Sequence, residues 1–205
     1  LEKYVEKKKI IYLPNPIIAS TPVKTSRSVQ KLILAIGRLH EQKGFDILIE
    51  SFQQSECRNN NWKLLLVGDG PERQSLESIL CRLNLRDSVQ IIAPSLQVWQ
   101  TYHDAAVFAM PSRYEGMPNA LLEAIDRGLI PVVSEGVGDL AKVIQNVDRN
   151  LVAPVGSIIK TRRALDYAAL NLGHLQEQAS KFMSMIEPFK EVEAMKKWGT
   201  VLRQI

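Results

Sequence analysis

From Lys31 onward, short and continuously apolar runs alternate with longer stretches in which apolar residues recur every three or four positions. The runs are Leu32 to Ile36, Leu64 to Val67, Val89 to Ile92, Ala106 to Met110, Ile130 to Val133 and Leu151 to Ala153. Apolarity at every position, rather than every second one, predicts strands buried on both faces, as in a parallel sheet. Between them, Phe45, Leu48, Ile49 and Phe52, then Leu76, Ile79, Leu80 and Leu83, keep the period near 3.6 that lays one helix face on a core. The alternation predicts an α/β fold: a doubly wound, parallel, six-stranded Rossmann-like sheet followed by C-terminal helices. From about Ile158 to Ile205 the spacing is helical only and predicts two or three helices. The last of these carries Val192, Met195, Trp198, Leu202 and Ile205 on one stripe. Ahead of the first strand, a charged opening and Ile10-Ile-Tyr-Leu-Pro-Asn-Pro, whose prolines cannot donate to a ladder, predict a linker entering a domain. The expected division is an entry segment over 1–24, a ligand-binding domain over 25–185 and a terminal amphipathic helix over 186–205.

Composition narrows the function classes. A chain of 205 residues, 45% hydrophobic, can bury a sizeable core as one domain. The net charge of +4 owes part of its excess to Lys7, Lys8 and Lys9; it requires no nucleic acid, and a phosphate-bearing small molecule accounts for it equally well. Cys57 and Cys81 stand outside any Cys-x-x-Cys spacing, and His40, His103 and His174 are scattered, which reads as a reduced, cytoplasmic protein with no metal and no cofactor. No apolar run approaches the roughly 18 residues of a spanning helix and no signal peptide opens the chain; the reading is a soluble protein, which leaves room for peripheral contact with the cytoplasmic membrane.

With the common strand order 3-2-1-4-5-6, a ligand crevice opens where the order reverses, outside the carboxyl ends of the first and fourth strands. Those ends are Gly37-Arg38 and Pro111 to Glu115, so Arg38 and Lys43 would form one wall, with Glu115 and Glu123 on the other. Seven residues separate the two glutamates, placing Glu115 in the loop and Glu123 about one and a half turns inside the next helix. Gly116 lets the backbone approach a ligand closely, and Pro118 suits the first helical position. Gly68-Asp-Gly-Pro71 is a tight strand-to-helix turn with Pro71 opening the helix; its acids Asp69 and Glu72 would repel a phosphate, so the turn reads as fold geometry bordering a nucleoside. Simpler readings stand beside these. Arg38 and Lys43 fit a solvated basic loop, Trp99 and Tyr102 fit helix-face packing, and His40 fits a surface position. Glu123 and Arg127, four residues apart, fit a helix-stabilising pair worth about 0.2–0.5 kcal/mol.

The stretch Pro111-Ser-Arg-Tyr-Glu-Gly-Met-Pro-Asn-Ala-Leu-Leu-Glu-Ala, running on to Pro131-Val-Val, resembles the Glu-x7-Glu motif of the retaining GT-B glycosyltransferases, in particular glycosyltransferase family four. Gly37-Arg38-Leu-x-x-x-Lys43-Gly44 and Gly68-Asp-Gly-Pro71 are similar to further patterns of that family, and the resemblance covers roughly residues 10 to 205. It implies the C-terminal, donor-binding half of a GT-B enzyme. In that half Arg38 and Lys43 hold the donor diphosphate, Glu115 contacts the donor sugar and Glu123 holds the ribose. Donor contacts are further implied for Gly37, Gly68, Gly116, Met117, Pro118 and Asn119, and for main-chain groups from Ala93 to Leu96 around the base. Pro94 removes one donor there, and Pro16 replaces a glycine usual in the family. The implied reaction moves a sugar from a nucleoside diphosphate sugar, a UDP-sugar ahead of a GDP-sugar, to an acceptor hydroxyl with retention. Its setting would be bacterial polysaccharide or glycolipid synthesis, with the acceptor glycan or glycolipid bound by an N-terminal half and the isolated domain inactive. Two rivals are a GT-B-fold sugar-nucleotide epimerase, for which the histidines are not placed, and a non-catalytic nucleotide-binding module.

Overall fold

The computed structural model describes residues 15–17, 30–95 and 98–203. Most of the expected entry segment, together with Leu96 and Ile205, lies outside the described residues. Six strands, β1 (Leu32–Ile36), β2 (Lys63–Val67), β3 (Val89–Ile92), β4 (Val107–Met110), β5 (Ile130–Ser134) and β6 (Val152–Ala153), form one sheet in the order β3-β2-β1-β4-β5-β6. Every pairing is parallel, and β1 meets β4 through Ile33 opposite Val107 and Leu34 opposite Phe108. The middles of the central strands are buried: Leu34, Leu66 and Phe108 are fully inaccessible, as expected of a sheet covered on both faces.

Helices α1 (Phe45–Gln53), α2 (Glu56–Asn59) and α3 (Arg73–Arg82) serve the β1-to-β3 half, whereas α4 (Val98–Asp104), α5 (Asn119–Asp126) and α6 (Asp139–Val147) follow the outer strands of the sequence order. Because the chain walks outward from β1 in opposite directions, right-handed crossovers set these two groups on opposite faces. The first group is joined by α7 (Ile158–Leu170), which packs on α1 and α2; the second by α9 (Ala179–Met185), which packs on α5 and α6.

Local differences from the sequence reading have simple causes. Lys63 joins β2 because its amide reaches the Lys31 carbonyl at 2.9 Å. β4 begins at Val107 rather than Ala106, and Leu151 falls in the 3-10 turn Arg149–Leu151, where the Asp148 side chain accepts from the Asn150 amide. Pro71 does not open α3: it sits in a turn closed by Glu72 N on the Leu39 carbonyl and Arg73 N on the Gly70 carbonyl. The tail holds four helices rather than two or three, with α8 (Leu172–Glu177) set off from α7 at Asn171 and α10 (Glu191–Leu202) last. On α10 the apolar stripe turns outward: Val192, Met195 and Leu202 are exposed, while Ala194 on the other side is buried. Ile17 bridges back to this end, its amide donating to the Phe189 carbonyl at 2.9 Å.

Candidate functional site

The reversal of strand order falls between β1 and β4, and the loops that leave the carboxyl ends of these two strands meet. Backbone and side-chain contacts bring the two loops together. Gly44 has φ 66°, left-handed, and a Cβ there would collide with the Pro111 carbonyl, so the close approach of this loop to the end of β4 at that point requires glycine. Arg113 N donates to the Gln42 carbonyl at 2.7 Å, and Gln42 Nε2 to the Tyr114 carbonyl at 2.9 Å. The Arg113 guanidinium then grips Asp46 with both of its terminal nitrogens, at 3.1 and 2.8 Å, and donates to the Glu41 carbonyl as well.

Within this frame Lys43 and Glu115 meet. Lys43 Nζ lies 2.7 Å from Glu115 Oε1, and the fully buried Ser112 donates its hydroxyl to the same oxygen at 2.6 Å. The Glu115 side chain keeps 5% of its accessible surface and that of Lys43 20%. A carboxylate so shielded needs a fixed cation, and an ammonium with three donors can serve it while still facing a second anion. Arg38, two residues beyond β1 in the same loop as Lys43, is exposed, and none of the described residues pairs with it. His40, also exposed, caps the 3-10 turn Glu41–Lys43 by accepting from the Gln42 amide. The β2–α3 turn braces the loop from below: Leu39 N reaches the Asp69 carbonyl at 2.9 Å, and Gly68 lies so close to the Gly37 carbonyl that a Cβ would collide with it.

The other wall is α5. Pro118 is its N-cap, not its first residue, with the amides of Leu121 and Leu122 on its carbonyl; α5 therefore begins at Asn119 and Glu123 sits about one turn in, not one and a half. Gly116 is exposed, and a Cβ there would meet nothing within 4 Å. The Glu123 carboxylate does not form the expected helix pair: Arg127 donates to the Glu123 carbonyl at 2.8 Å instead, and the guanidinium lies 4.5 Å over the Trp99 ring. Glu123 Oε2 accepts from the Tyr102 hydroxyl at 3.0 Å. In the segment between the glutamates Met117 is half-buried, Pro118 buried and Asn119 exposed, and Ala93 follows β3 one strand beyond Gly68, exposed. The sequence reading brought out Arg38, Lys43, Glu115 and Glu123 and missed Ser112, Arg113, Asp46 and Tyr102 as partners; of these only Ser112, three residues from Glu115, lies within local reach.

A family model described as glycosyl transferases group 1 matches residues 19–182. The chain belongs to this family. It is 25% identical over 193 residues to an uncharacterized glycosyltransferase of Haemophilus influenzae, covering 94% of this chain and 55% of that protein. It is 35% identical over 117 residues to the amylovoran biosynthesis glycosyltransferase AmsD of Erwinia amylovora, covering 57% of this chain and 33% of that one. Its fold matches S. aureus TarM, solved with UDP and alpha-GlcNAc-glycerol, at a TM-score of 0.85 and 18% identity over 97% of this chain and 40% of TarM. The sheet is thus the C-terminal, Rossmann-like half of a GT-B glycosyltransferase fold. This chain spans about half of the Haemophilus protein's length and a third of AmsD.

Two tyrosines frame this group 1 site differently. Tyr114, next to Glu115, is 63% exposed, whereas Tyr102 is 1% exposed. Burial, and after it the charge of Glu123, raises the Tyr102 phenol above its ordinary value, so it remains a hydrogen-bond donor. No group of His, Cys, Asp and Glu suited to a metal occurs among the described residues, and no helix there is long and apolar enough to cross a membrane.

Proposed function

We propose that this chain is the donor-binding domain of a retaining glycosyltransferase of family four, acting on a nucleoside diphosphate sugar without a metal. The observation that carries the reading is the Lys43–Glu115 pair, 2.7 Å apart across the switch point, with exposed Arg38 in the same loop as Lys43 and Glu123 one turn into α5. Arg38 and Lys43 hold the diphosphate, Glu115 the sugar and Glu123 the ribose; Gly37, Gly68, Ala93, Leu96 and residues 116–119 border the donor. Gly116 is compatible with this: a Cβ there would meet nothing within 4 Å, so the turn leaves open space for a ligand to come close. UDP is the favoured nucleotide, in keeping with the UDP in the TarM complex.

In the proposed reaction the bond between the sugar C1 and the diphosphate oxygen breaks, its electron pair passing to that oxygen. The acceptor hydroxyl forms the new C1–O bond on the same face and gives its proton to the departing phosphate. The charge growing on the diphosphate meets two fixed cations, which favour the transition state over the ground state. The acceptor, a glycan or glycolipid of bacterial polysaccharide synthesis, binds on the part of the relatives' length that this chain does not span. α10 packs toward that part, and contact with the cytoplasmic membrane face belongs to the whole enzyme. Calorimetric titration of this chain with UDP, GDP and ADP in EDTA tests the reading: UDP is expected to bind, and the chain alone to transfer no sugar from a UDP-sugar. Absence of binding by all three nucleotides, or binding only with added Mg²⁺, would refute it, and robust turnover by this chain would refute the half-enzyme assignment.

A further inference from the structure

Tyr102 ties the sheet core to the crevice. Its ring stacks on Phe108 of β4 at 6.1 Å between centroids and on Trp99 at 6.0 Å, and the residue is 1% exposed. The hydroxyl emerges from this packing at Glu123 Oε2, 3.0 Å away, with the Ala120 carbonyl at 3.4 Å. Arg127 covers the assembly from outside, its guanidinium 5.1 Å from the Tyr102 ring and 4.5 Å from that of Trp99. A core aromatic with two fixed faces has almost no rotational freedom, so its hydroxyl is a stationary donor. A glutamate on a helix flank otherwise samples several rotamers, and ordering it at the moment of binding costs affinity. Held through Oε2, the carboxylate keeps its other oxygen for a ligand, since an ionised carboxyl accepts at about four lone-pair sites.

We infer that Tyr102 is a positioning residue: it locks the Glu123 carboxylate so that Oε1 accepts from the ribose hydroxyls of the donor nucleotide, while Arg127 and Trp99 keep water from the Tyr102–Glu123 bond. The inference rests on the reading of Glu123 as the ribose acceptor. It predicts that removing one buried oxygen atom, remote from any ligand contact of its own, erodes ribose recognition and leaves phosphate recognition intact.

The test is calorimetric titration of UDP and 2′,3′-dideoxy-UDP against the parent chain, Tyr102→Phe, Glu123→Gln and the double variant. The parent is expected to prefer UDP by about tenfold, and Tyr102→Phe to lose at least about threefold of that preference while binding the dideoxy analogue within about twofold of the parent. In the Glu123→Gln background Tyr102→Phe is expected to change the preference no further. Glu123→Asp, which leaves the core untouched and withdraws the carboxylate from the tyrosine, is expected to lose preference in the same way. A parent with no preference overturns the ribose reading and the inference with it. A parent preference retained in full by Tyr102→Phe or by Glu123→Asp, or lowered equally by Tyr102→Phe in both backgrounds, overturns the positioning role alone.

Discussion

Breaking the Lys43–Glu115 pair is expected to cost far more than breaking a surface ion pair. At 2.7 Å and an effective dielectric constant of about 20 the attraction is about 6 kcal/mol. Desolvating a carboxylate that keeps 5% of its surface and an ammonium that keeps 20%, and ordering a lysine side chain, remove most of it, leaving a net coupling of about 1–3 kcal/mol. Lys43→Met leaves Glu115 buried with the Ser112 hydroxyl but no cation, and is expected to destabilise by about 2–4 kcal/mol. Glu115→Gln, which keeps the Ser112 contact, costs less, and the double variant is more stable than the sum of the two predicts. Urea unfolding with a constant m-value reads all four corners of the cycle. Because the carboxylate is shielded, the coupling is expected to survive about 0.5 M NaCl. A coupling below about 0.5 kcal/mol, or one that salt abolishes, would show that the two side chains do not pair in solution.

Arg38→Ala is expected to weaken UDP binding by about 1.5–3 kcal/mol and leave uridine binding and Tm unchanged, because Arg38 is exposed and none of the described residues pairs with it. An equal loss for uridine would mean that the loop acts through structure. Arg113→Lys keeps the charge but loses the two-pronged grip on Asp46; with both partners partly exposed the cost is about 1 kcal/mol, a fall of roughly 2–4 °C in Tm, and an unchanged melt would remove the grip from the account. Cys57, pushed up from 9.0 to about 12 by burial and then by the charge of Asp166, is expected to resist a thiol reagent near pH 8 while exposed Cys81 reacts; equal rates would contradict this. The folded value lies above the unfolded one, so this thiol's contribution to stability is intact below pH 9 and is lost as pH rises from 9 towards 12, a loss read as the difference between the parent and Cys57→Ala in denaturation at stepped alkaline pH.

Strand identities were legible because buried parallel strands are apolar at every position, a signal contained within five residues, whereas the reversal of order between β1 and β4 came from the order common to doubly wound sheets. That supposed reversal point put Lys43 and Glu115 on facing loops, where the structure has them in contact. What joins the loops was not legible. The Arg113–Asp46 grip spans 67 positions and the Tyr102–Glu123 bond 21, and no local periodicity relates such residues. The helix-pair rule for Glu123 and Arg127 failed because two aromatic faces compete for the guanidinium, and the rule sees one helix at a time. The stripe on α10 was read correctly as a stripe, but apolar spacing reports which residues share a side, not which side the domain covers.

The pairing of β1 with β4 carries a consequence for how the molecule comes into being. Lys43 and Glu115 stand 72 positions apart, and the chain between them must leave β1, lay down β2 and β3, and return before they meet. Contacts closed over such long loops form late, after the local units have condensed. A partly folded molecule with β1, β2 and β3 assembled would present Arg38 and Lys43 without the facing carboxylate, a cationic edge with no specificity for sugar. If the proposed nucleotide site is right, its two walls meet only when β1 pairs with β4, so the time course of UDP binding during refolding is expected to report that step.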